Sequence, residues 1–351
     1  MKIAIIAITH NGARLGARLT EGLPGSGLYI PPKLGDHVSG PATVFPESLK
    51  ELMARLWREA DGLICIMATG IVVRMIAPHL EGKDRDPAVV VLDDAGKFAV
   101  SLLSGHLGGA NQLAEESARL TGATPVITTA TDANGLPSFD SIAREQGWAI
   151  DDLSRVKVLN SLLLEDTEIA VVDSSGQVEH AFRGRGRLTF HSDFQAAFRS
   201  GAKGFVFVTS RDLSAQVKSP CLLVLHPRNL ILGVGCNRAT SEEEIEEIIL
   251  ANLKRLSLSI KSVRSIATAT AKQDEPGLLA VAEKFALPVV FYESSELNAI
   301  RTPTPPSQHA LDAIGASGVA EPAALLASGN GNLILKKVKS GNVTLAVAEI
   351  P

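Results

Sequence analysis

Aromatic residues are scarce in this sequence, at only 4% of 351 residues, although hydrophobic residues make up 45%. The hydrophobic core must therefore consist mainly of Val, Ile, Leu and Ala. This composition favours β-sheets covered by helices. The length allows two or three domains, because a domain usually has about 100 to 200 residues.

Cysteine is scarce as well. Cys65, Cys221 and Cys236 are odd in number and lack C-x-x-C spacing, so neither a disulfide framework nor a zinc site is predicted. No apolar run approaches the roughly 18 residues of a membrane span. Residues 1–8 read as a short strand without the features of a secretory signal. We therefore expect a cytoplasmic protein that does not contact a membrane.

An excess of positive charge is also lacking, since the formal net charge is -4. Bulk charge therefore provides no attraction for nucleic acid, and an anionic ligand must meet a local basic patch. The run Arg183-Gly184-Arg185-Gly186-Arg187 resembles the RG-rich segments that bind RNA. One short copy in an acidic chain is more often a basic loop, so we expect no nucleic-acid partner and keep RNA binding as an alternative.

The first part of the chain alternates β-rich runs with helical periodicity, which predicts a mostly parallel sheet with helices on both faces. Asp93-Asp94-Ala95-Gly96-Lys97 is typical of a hairpin turn, so one flanking strand is predicted to run antiparallel. The predicted strands are 2–8, 62–67, 88–92, 98–103 and 125–129, and the predicted helices are 46–60, 71–80 and 109–121.

The rest of the chain predicts a small central α/β domain and a C-terminal α/β domain. Ser241-Glu242-Glu243-Glu244 is a capping-box sequence that begins a helix. The chain is predicted to close with a hairpin that turns at Ser340-Gly341. The predicted domains are 1–146, 147–227 and 228–351.

Ligands in such sheets bind beyond the carboxyl ends of the strands. Four loops stand out there, at 9–12, 68–70, 104–111 and 128–132. The third is glycine-rich, with Gly105, Gly108 and Gly109, and it precedes a helix whose unpaired N–H groups attract negative charge. This pattern predicts an anion or oxyanion site, and a tight turn with close helix packing is the alternative.

Known nucleotide motifs are absent from these loops. The third loop has neither the phosphate-binding G-x-x-x-x-G-K-[ST] pattern nor G-x-G-x-x-G. Gly233-Val234-Gly235 begins like the dinucleotide fingerprint, but Arg238 occupies the position of its third glycine. The sequence therefore disfavours nucleotide binding.

Side chains near the third loop are candidates for catalysis. His106 has the side-chain type that transfers protons near neutral pH, and a capping or surface histidine is the alternative. Ser104 lacks the G-x-S-x-G elbow of a nucleophile, so we expect it to donate a hydrogen bond. Asp132 could orient a histidine, or it could be a turn residue. Arg74 follows Thr69 and Gly70 and could bind a carboxylate. The alternative is that Arg74 lies on a solvent-exposed helix face without a ligand.

Four blocks in this order resemble the cobalt-precorrin-5A hydrolase family, CbiG, of anaerobic cobalamin synthesis. They are MATGIVVRMIAP at 67–78, DPAVVV at 86–91, SLLSGHLGGAN at 101–111 and VITTATD at 126–132. The segments at 233–236 and 318–325 resemble the C-terminal domain of that family. Asn237 and Ala239 depart from its pattern, which has a basic residue and a glycine there.

The resemblance implies a hydrolase that opens the δ-lactone of a cobalt corrinoid and releases acetaldehyde to give cobalt-precorrin-5B. For this reaction the candidate catalytic residues are His106, Ser104 and Asp132, with His106 activating water and with Thr129 and Asp132 assisting proton transfer as the carbon fragment leaves. The expected substrate contacts are Thr69, Gly70, Arg74, Gly105, Gly108, Gly109, Asn111 and Thr129, and Lys83 and Arg85 are further cations for its carboxylates.

The resemblance further implies that cobalt arrives with the substrate, so no metal site or cofactor of the protein's own is expected. Transient contact with other enzymes of the pathway is also expected. A corrinoid-binding or carrier protein without catalysis is the alternative, because the same loops could simply bind carboxylates.

Overall fold

The computed structural model describes residues 1–37, 40–82, 85–213 and 219–351. Within these residues, the first section contains seven strands and six α-helices. They are β1 (Ile3–Ala7), α1 (His10–Gly22), β2 (Gly27–Ile30), β3 (Thr43–Val44), α2 (Leu49–Glu59), β4 (Gly62–Ile66), α3 (Thr69–Ile76), β5 (Ala88–Leu92), β6 (Phe98–Leu103), α4 (Ala110–Thr121), β7 (Thr124–Val126), α5 (Ala130–Ala133) and α6 (Phe139–Gln146).

These strands form one seven-stranded sheet in the order β3-β2-β1-β4-β5-β6-β7. The pairs from β3 through β5 are parallel, β6 is antiparallel to β5, and β7 is parallel to β6. The predicted reversal at 93–97 is therefore confirmed, and the Gly96 N–H closes the turn on the Asp93 carbonyl at 2.9 Å.

Helices cover both faces of this sheet because its strands alternate apolar side chains between two cores. Ile5 packs with residues of α1 and α4 on one face, and Ile6 packs with residues of α2 and α3 on the other. The α/β fold class and the predicted two-sided arrangement of this section are confirmed. Aliphatic residues supply nearly all of both cores, as the low aromatic content predicts.

The central section forms a five-stranded sheet in the order β10-β9-β11-β12-β8. Its strand β8 is antiparallel to β12, and the other pairs are parallel. Its elements are β8 (Ala149–Ile150), α7 (Leu153–Leu164), β9 (Ile169–Asp173), α8 (Gln177–Phe182), β10 (Leu188–Phe190), α9 (Phe194–Arg199), β11 (Gly204–Val208) and β12 (Leu222–His226).

The last section forms a five-stranded sheet in the order β15-β14-β13-β17-β16, with the predicted hairpin at its end. The Ser241 hydroxyl caps the helix predicted to follow it. The elements are β13 (Leu230–Cys236), α10 (Glu242–Arg255), β14 (Val263–Ala269), α11 (Pro276–Lys284), β15 (Val289–Tyr292), α12 (Ser294–Asn298), α13 (Gln308–Ile314), α14 (Ala320–Ala327), β16 (Asn332–Ser340) and β17 (Val343–Glu349).

The structure corrects the expectation of loops at 9–12, 68–70 and 128–132, because α1, α3 and α5 begin within these segments. It also adds elements that the sequence did not predict. Residues 9–12 do not form a loop, because Thr9 caps α1 by accepting the Gly12 N–H at 3.0 Å. Strands β2 and β3 were not predicted, since four and two residues are too short to show a clear period. Short 3-10 helices follow α3 at 77–79 and β14 at 270–272.

The described chain divides into two compact units, one made of 1–144, 164–166 and 179–186 and the other of 145–163, 167–178 and 187–351. The three predicted domain boundaries remain a prediction. Among the described residues, no helix is both long and apolar enough to cross a membrane.

Candidate functional site

The four loops predicted at strand ends lie at two opposite edges of the N-terminal sheet. Segments 9–12 and 68–70 follow β1 and β4, whereas segments 104–111 and 128–132 follow β6 and β7, which run the other way. Leu103 accordingly pairs with Val89 near the start of β5. Since β4 and β5 have five residues each, the edges are about 17 Å apart at about 3.3 Å per residue.

The glycine-rich loop at 104–109 needs glycine for two separate reasons. A Cβ on Gly108 would lie 2.8 Å from the Ser104 carbonyl oxygen and closer still to the Ser104 Cβ. Only glycine therefore fits at this position of the loop. Gly109 has a φ of 88°, in the left-handed region that favours glycine. Both glycines therefore shape the turn, and the alternative of a tight turn correctly describes part of their role.

The amides at the entrance of α4 are already bonded, which corrects the expectation that they face an oxyanion. Gly109 N–H donates to the His106 carbonyl, Ala110 N–H to that of Ser104 and Asn111 N–H to that of Gly105, each at 3.1 Å. An anion therefore cannot bind these three groups without breaking the turn.

His106 lies between two carboxylates. Its Nε2 is 2.6 Å from Asp132 Oδ2, and its Nδ1 is 3.4 Å from Asp140 Oδ2. The Asp140 side chain is 5% exposed and the Asp132 side chain is 38% exposed. The three groups thus form a line from the interior to the surface, with Asp132 at its outer end.

Asp132 is held through a single oxygen. Its Oδ2 accepts hydrogen bonds from Asn111 Nδ2 at 3.1 Å and from the Thr129 hydroxyl, in addition to its contact with His106. The Asn111 amide also reaches Thr129 Oγ1 at 3.0 Å, and its own Oδ1 accepts the Ser101 hydroxyl at 2.7 Å. Asp132 Oδ1 meets no donor among the described residues, so it can accept a proton or hydrogen bond from a ligand.

The environment of His106 has opposing effects on its pKa. Burial lowers the pKa, but the hydrogen bond and charge of Asp140, followed by those of Asp132, outweigh it, so the net pKa is raised. Protonated His106 is stabilised by the two carboxylates together. The imidazole therefore binds a proton readily at a pH where an isolated histidine would be mostly neutral.

Ser104 lies at the base of the same loop in a strained conformation. Its φ is 58°, which is unusual for a residue with a side chain. Its Oγ is buried and has no hydrogen-bond partner among the described residues. Its carbonyl accepts the Ala110 N–H, as noted above, while its hydroxyl remains available to donate a hydrogen bond.

The other predicted substrate contacts lie apart from this group. Thr69 and Gly70 open α3 at the opposite edge, and Arg74 Nη1 donates to the Gly70 carbonyl at 2.9 Å. Arg85 pairs with Glu81 at 3.2 Å, and Lys83 lies outside the described residues. The structure thus groups His106, Asp132, Asn111 and Thr129 with the glycine loop, but it does not group them with Thr69, Gly70 and Arg74.

Sequence reasoning missed two residues of this edge, and both belong to α6. Asp140 contacts His106, and Arg144 reaches Gly109, where a Cβ would lie 2.7 Å from Nη1. Their spacing of four residues places them on one helix face, which was the available signal. Nothing in the local sequence indicates that this face meets a loop more than 30 positions earlier.

The arginine run at 183–187 is partly engaged with the protein. Arg185 donates to the carbonyls of Gly135, Phe182 and Ala181 at 2.7 to 3.1 Å, and Arg187 pairs with Glu168 at 3.4 Å. These contacts weaken the RNA-binding alternative, because two of the three guanidinium groups have protein acceptors. Within the described residues, no group of three His, Cys, Asp or Glu side chains is arranged to hold a metal ion.

Comparisons with known proteins cover the chain almost completely. Three family models match, described as cobalamin synthesis G N-terminal at 51–132, cobalamin biosynthesis central region at 137–227 and cobalamin synthesis G C-terminus at 230–348. The first model ends at Asp132 and thus includes His106, Asn111 and Thr129.

Full-length relatives agree with these models. A cobalt-precorrin-5A hydrolase of Priestia megaterium is 39% identical, with 99% of this chain and 95% of the relative covered. The cobalt-precorrin-5A hydrolase of Salmonella typhimurium is 30% identical, with 98% and 97% covered. A solved cobalamin biosynthesis protein G homologue from Sulfolobus solfataricus is 25% identical over 99% of this chain and 97% of that one, with a TM-score of 0.38. The three family models and the two relatives at 39% and 30% identity show that the chain belongs to the cobalt-precorrin-5A hydrolase family.

Proposed function

We propose that this protein hydrolyses cobalt-precorrin-5A, opening its δ-lactone and releasing acetaldehyde to give cobalt-precorrin-5B. The observation that carries the proposal is the line Asp140–His106–Asp132, which ends at an exposed carboxylate beside a glycine-rich turn. A histidine between two carboxylates can accept a proton and return it, and lactone hydrolysis requires two proton transfers. Family membership supports the choice of substrate.

In the first step, water adds to the lactone carbonyl carbon. Asp132 Oδ1 accepts a hydrogen bond from this water, and the His106–Asp132 pair takes the proton that the water loses. The carbonyl oxygen becomes negative, the ring C–O bond then breaks, and the departing oxygen recovers the proton. The products of this step are a carboxyl group and a hydroxyl group, so atoms and charges balance.

In the second step, the new hydroxyl group gives up its proton as the carbon–carbon bond to the macrocycle breaks. Acetaldehyde leaves and the bonding electron pair stays on the macrocycle, which is then protonated. The His106–Asp132 pair again holds the proton, and Thr129 and Asn111 keep Asp132 in place through its Oδ2. Ser104 acts as a hydrogen-bond donor, because its buried hydroxyl has no acceptor among the described residues.

Cobalt enters as part of the substrate, and the protein supplies no cofactor of its own. We propose that basic groups near the His106 edge bind the corrinoid carboxylates. Thr69, Gly70 and Arg74 lie at the opposite edge, so they would contact the ligand only if it extends that far. The cytoplasm as the compartment and transient contacts with other pathway enzymes remain part of the proposal.

The test is to incubate the full chain with cobalt-precorrin-5A in ¹⁸O-labelled water. We expect release of acetaldehyde and one labelled oxygen in the carboxyl group of the product. Tight binding of the corrinoid without acetaldehyde would contradict the proposal and favour the carrier. Release of acetaldehyde without ¹⁸O in the carboxyl group of the product would show that water does not open the lactone at its carbonyl carbon.

A further inference from the structure

We propose that Arg144 stabilises the negative lactone oxygen and then binds the carboxylate that forms from it. This inference rests on the proposed function. It assigns to one side chain of α6 the task that the sequence predicted for the amides at the entrance of α4. The ligand class is an ester carbonyl that becomes a carboxylate.

The position of Arg144 is the first reason. If Gly109 had a Cβ, that atom would lie 2.7 Å from Nη1 and 3.0 Å from Cζ of Arg144, so the guanidinium lies directly against the glycine backbone. Gly109 is the residue that precedes α4. The guanidinium therefore adds its charge to the positive end of this helix, and any larger residue at 109 would displace it.

The lack of a competing acceptor is the second reason. Arg144 Nε is buried without a hydrogen-bond partner, and Nη2 donates to the neutral Gln112 side chain. Among the described residues, no carboxylate forms an ion pair with Arg144, although Asp140 lies one turn earlier on the same helix. A buried donor without an acceptor is unfavourable, and a bound anion would supply the missing acceptor.

The bonding of the α4 amides is the third reason. The amides of Gly109, Ala110 and Asn111 are occupied by loop carbonyls, so these three groups cannot stabilise a developing oxyanion at this helix end. A guanidinium provides two parallel N–H groups that match a carboxylate, which is the product of lactone opening. In this proposal His106 transfers the proton and Arg144 stabilises the negative charge.

The experiment compares kcat and KM of the wild type with those of Arg144→Gln and Arg144→Lys, using acetaldehyde release from cobalt-precorrin-5A. We expect kcat of Arg144→Gln to fall about 100- to 1000-fold, which is the loss measured when one oxyanion donor is removed. KM should change much less. Lysine should recover only part of kcat, and added guanidinium should restore activity to an Arg144→Ala variant.

Arg119→Gln is the matched control, since Arg119 lies on α4 and pairs with Glu116 on the exposed surface of that helix. Circular dichroism of each variant confirms that it folds. An Arg144→Gln variant with wild-type kcat, or a loss confined to KM, would overturn the inference while leaving the proposed function intact. Failure of the wild type to release acetaldehyde would instead overturn the proposed function.

Discussion

Asp140 lies 3.4 Å from Nδ1 of His106, on the side of the ring opposite to Asp132. The Asp140 side chain is 5% exposed and the Asp132 side chain is 38% exposed, so the two carboxylates have different roles. The buried one fixes the orientation of the imidazole, and the exposed one meets solvent or substrate. This relationship makes His106 the central group of the site, and the first two predictions follow from it.

Replacement of His106 should affect turnover much more than binding. We expect His106→Gln to lower kcat about 100- to 10,000-fold, because general acid–base catalysis contributes about that factor. The affinity for cobalt-precorrin-5A, measured by absorbance titration, should change only a few-fold. His180→Gln, at an exposed position of α8, is the control. Equal losses of turnover and affinity would favour the carrier alternative.

The pH profile should report the contribution of Asp140. His106 has a raised pKa, so neutral imidazole and hence activity should appear only as the pH rises above its usual value near 6.5. Asp140→Asn removes the main contribution that raises this pKa and leaves the burial that lowers it. The acidic limb of kcat/KM should therefore move to lower pH.

The measurement is kcat/KM from pH 5 to 9 for the wild type, Asp140→Asn and the exposed control Asp166→Asn. The control should keep the wild-type profile. An unchanged acidic limb in Asp140→Asn would show that Asp140 has no influence on the proton acceptor.

A methyl group at Gly108 should destabilise the protein. The new Cβ would lie 2.8 Å from the Ser104 carbonyl oxygen, and this atom belongs to backbone that already accepts the Ala110 N–H. We expect Gly108→Ala to lose about 1 to 3 kcal/mol in urea unfolding. Gly318→Ala, where the nearest atom is 3.9 Å away, should be close to wild type. Equal stability of both variants would show that the loop has room to relax.

Glycine at position 239 should stabilise the protein. Ala239 has a φ of 57°, a conformation that costs an L-residue about 1 to 2 kcal/mol. Ala239→Gly removes this strain but increases the freedom of the unfolded chain, which costs about 0.4 to 1 kcal/mol. A net gain of up to about 1 kcal/mol is expected.

Thermal unfolding of the variant measures this gain. Ala280→Gly, inside α11, is the control and should lose about 0.5 to 1 kcal/mol, because its backbone is helical. A loss of stability in Ala239→Gly similar to that of the control would contradict the strain at this position.

The sequence by itself determined the parts of the molecule that depend on local pattern. Alternation of apolar runs predicted the α/β class, Asp93 to Lys97 predicted the reversal, and the glycine loop predicted a turn before α4. Four short blocks were sufficient to indicate the family. These features depend on neighbours within a few residues, so they are visible in the order of the residues.

Only the tertiary structure decided which residues share a site. The reversal after β5 sends the loops after β6 and β7 to the edge opposite Thr69 and Arg74, a result of strand pairing rather than of any motif. Asp140 and Arg144 reach the His106 loop from a helix more than 30 residues later. Hydrogen bonds within the turn likewise occupied the amides that the sequence left free, because contacts between distant segments and exact backbone geometry have no local signature.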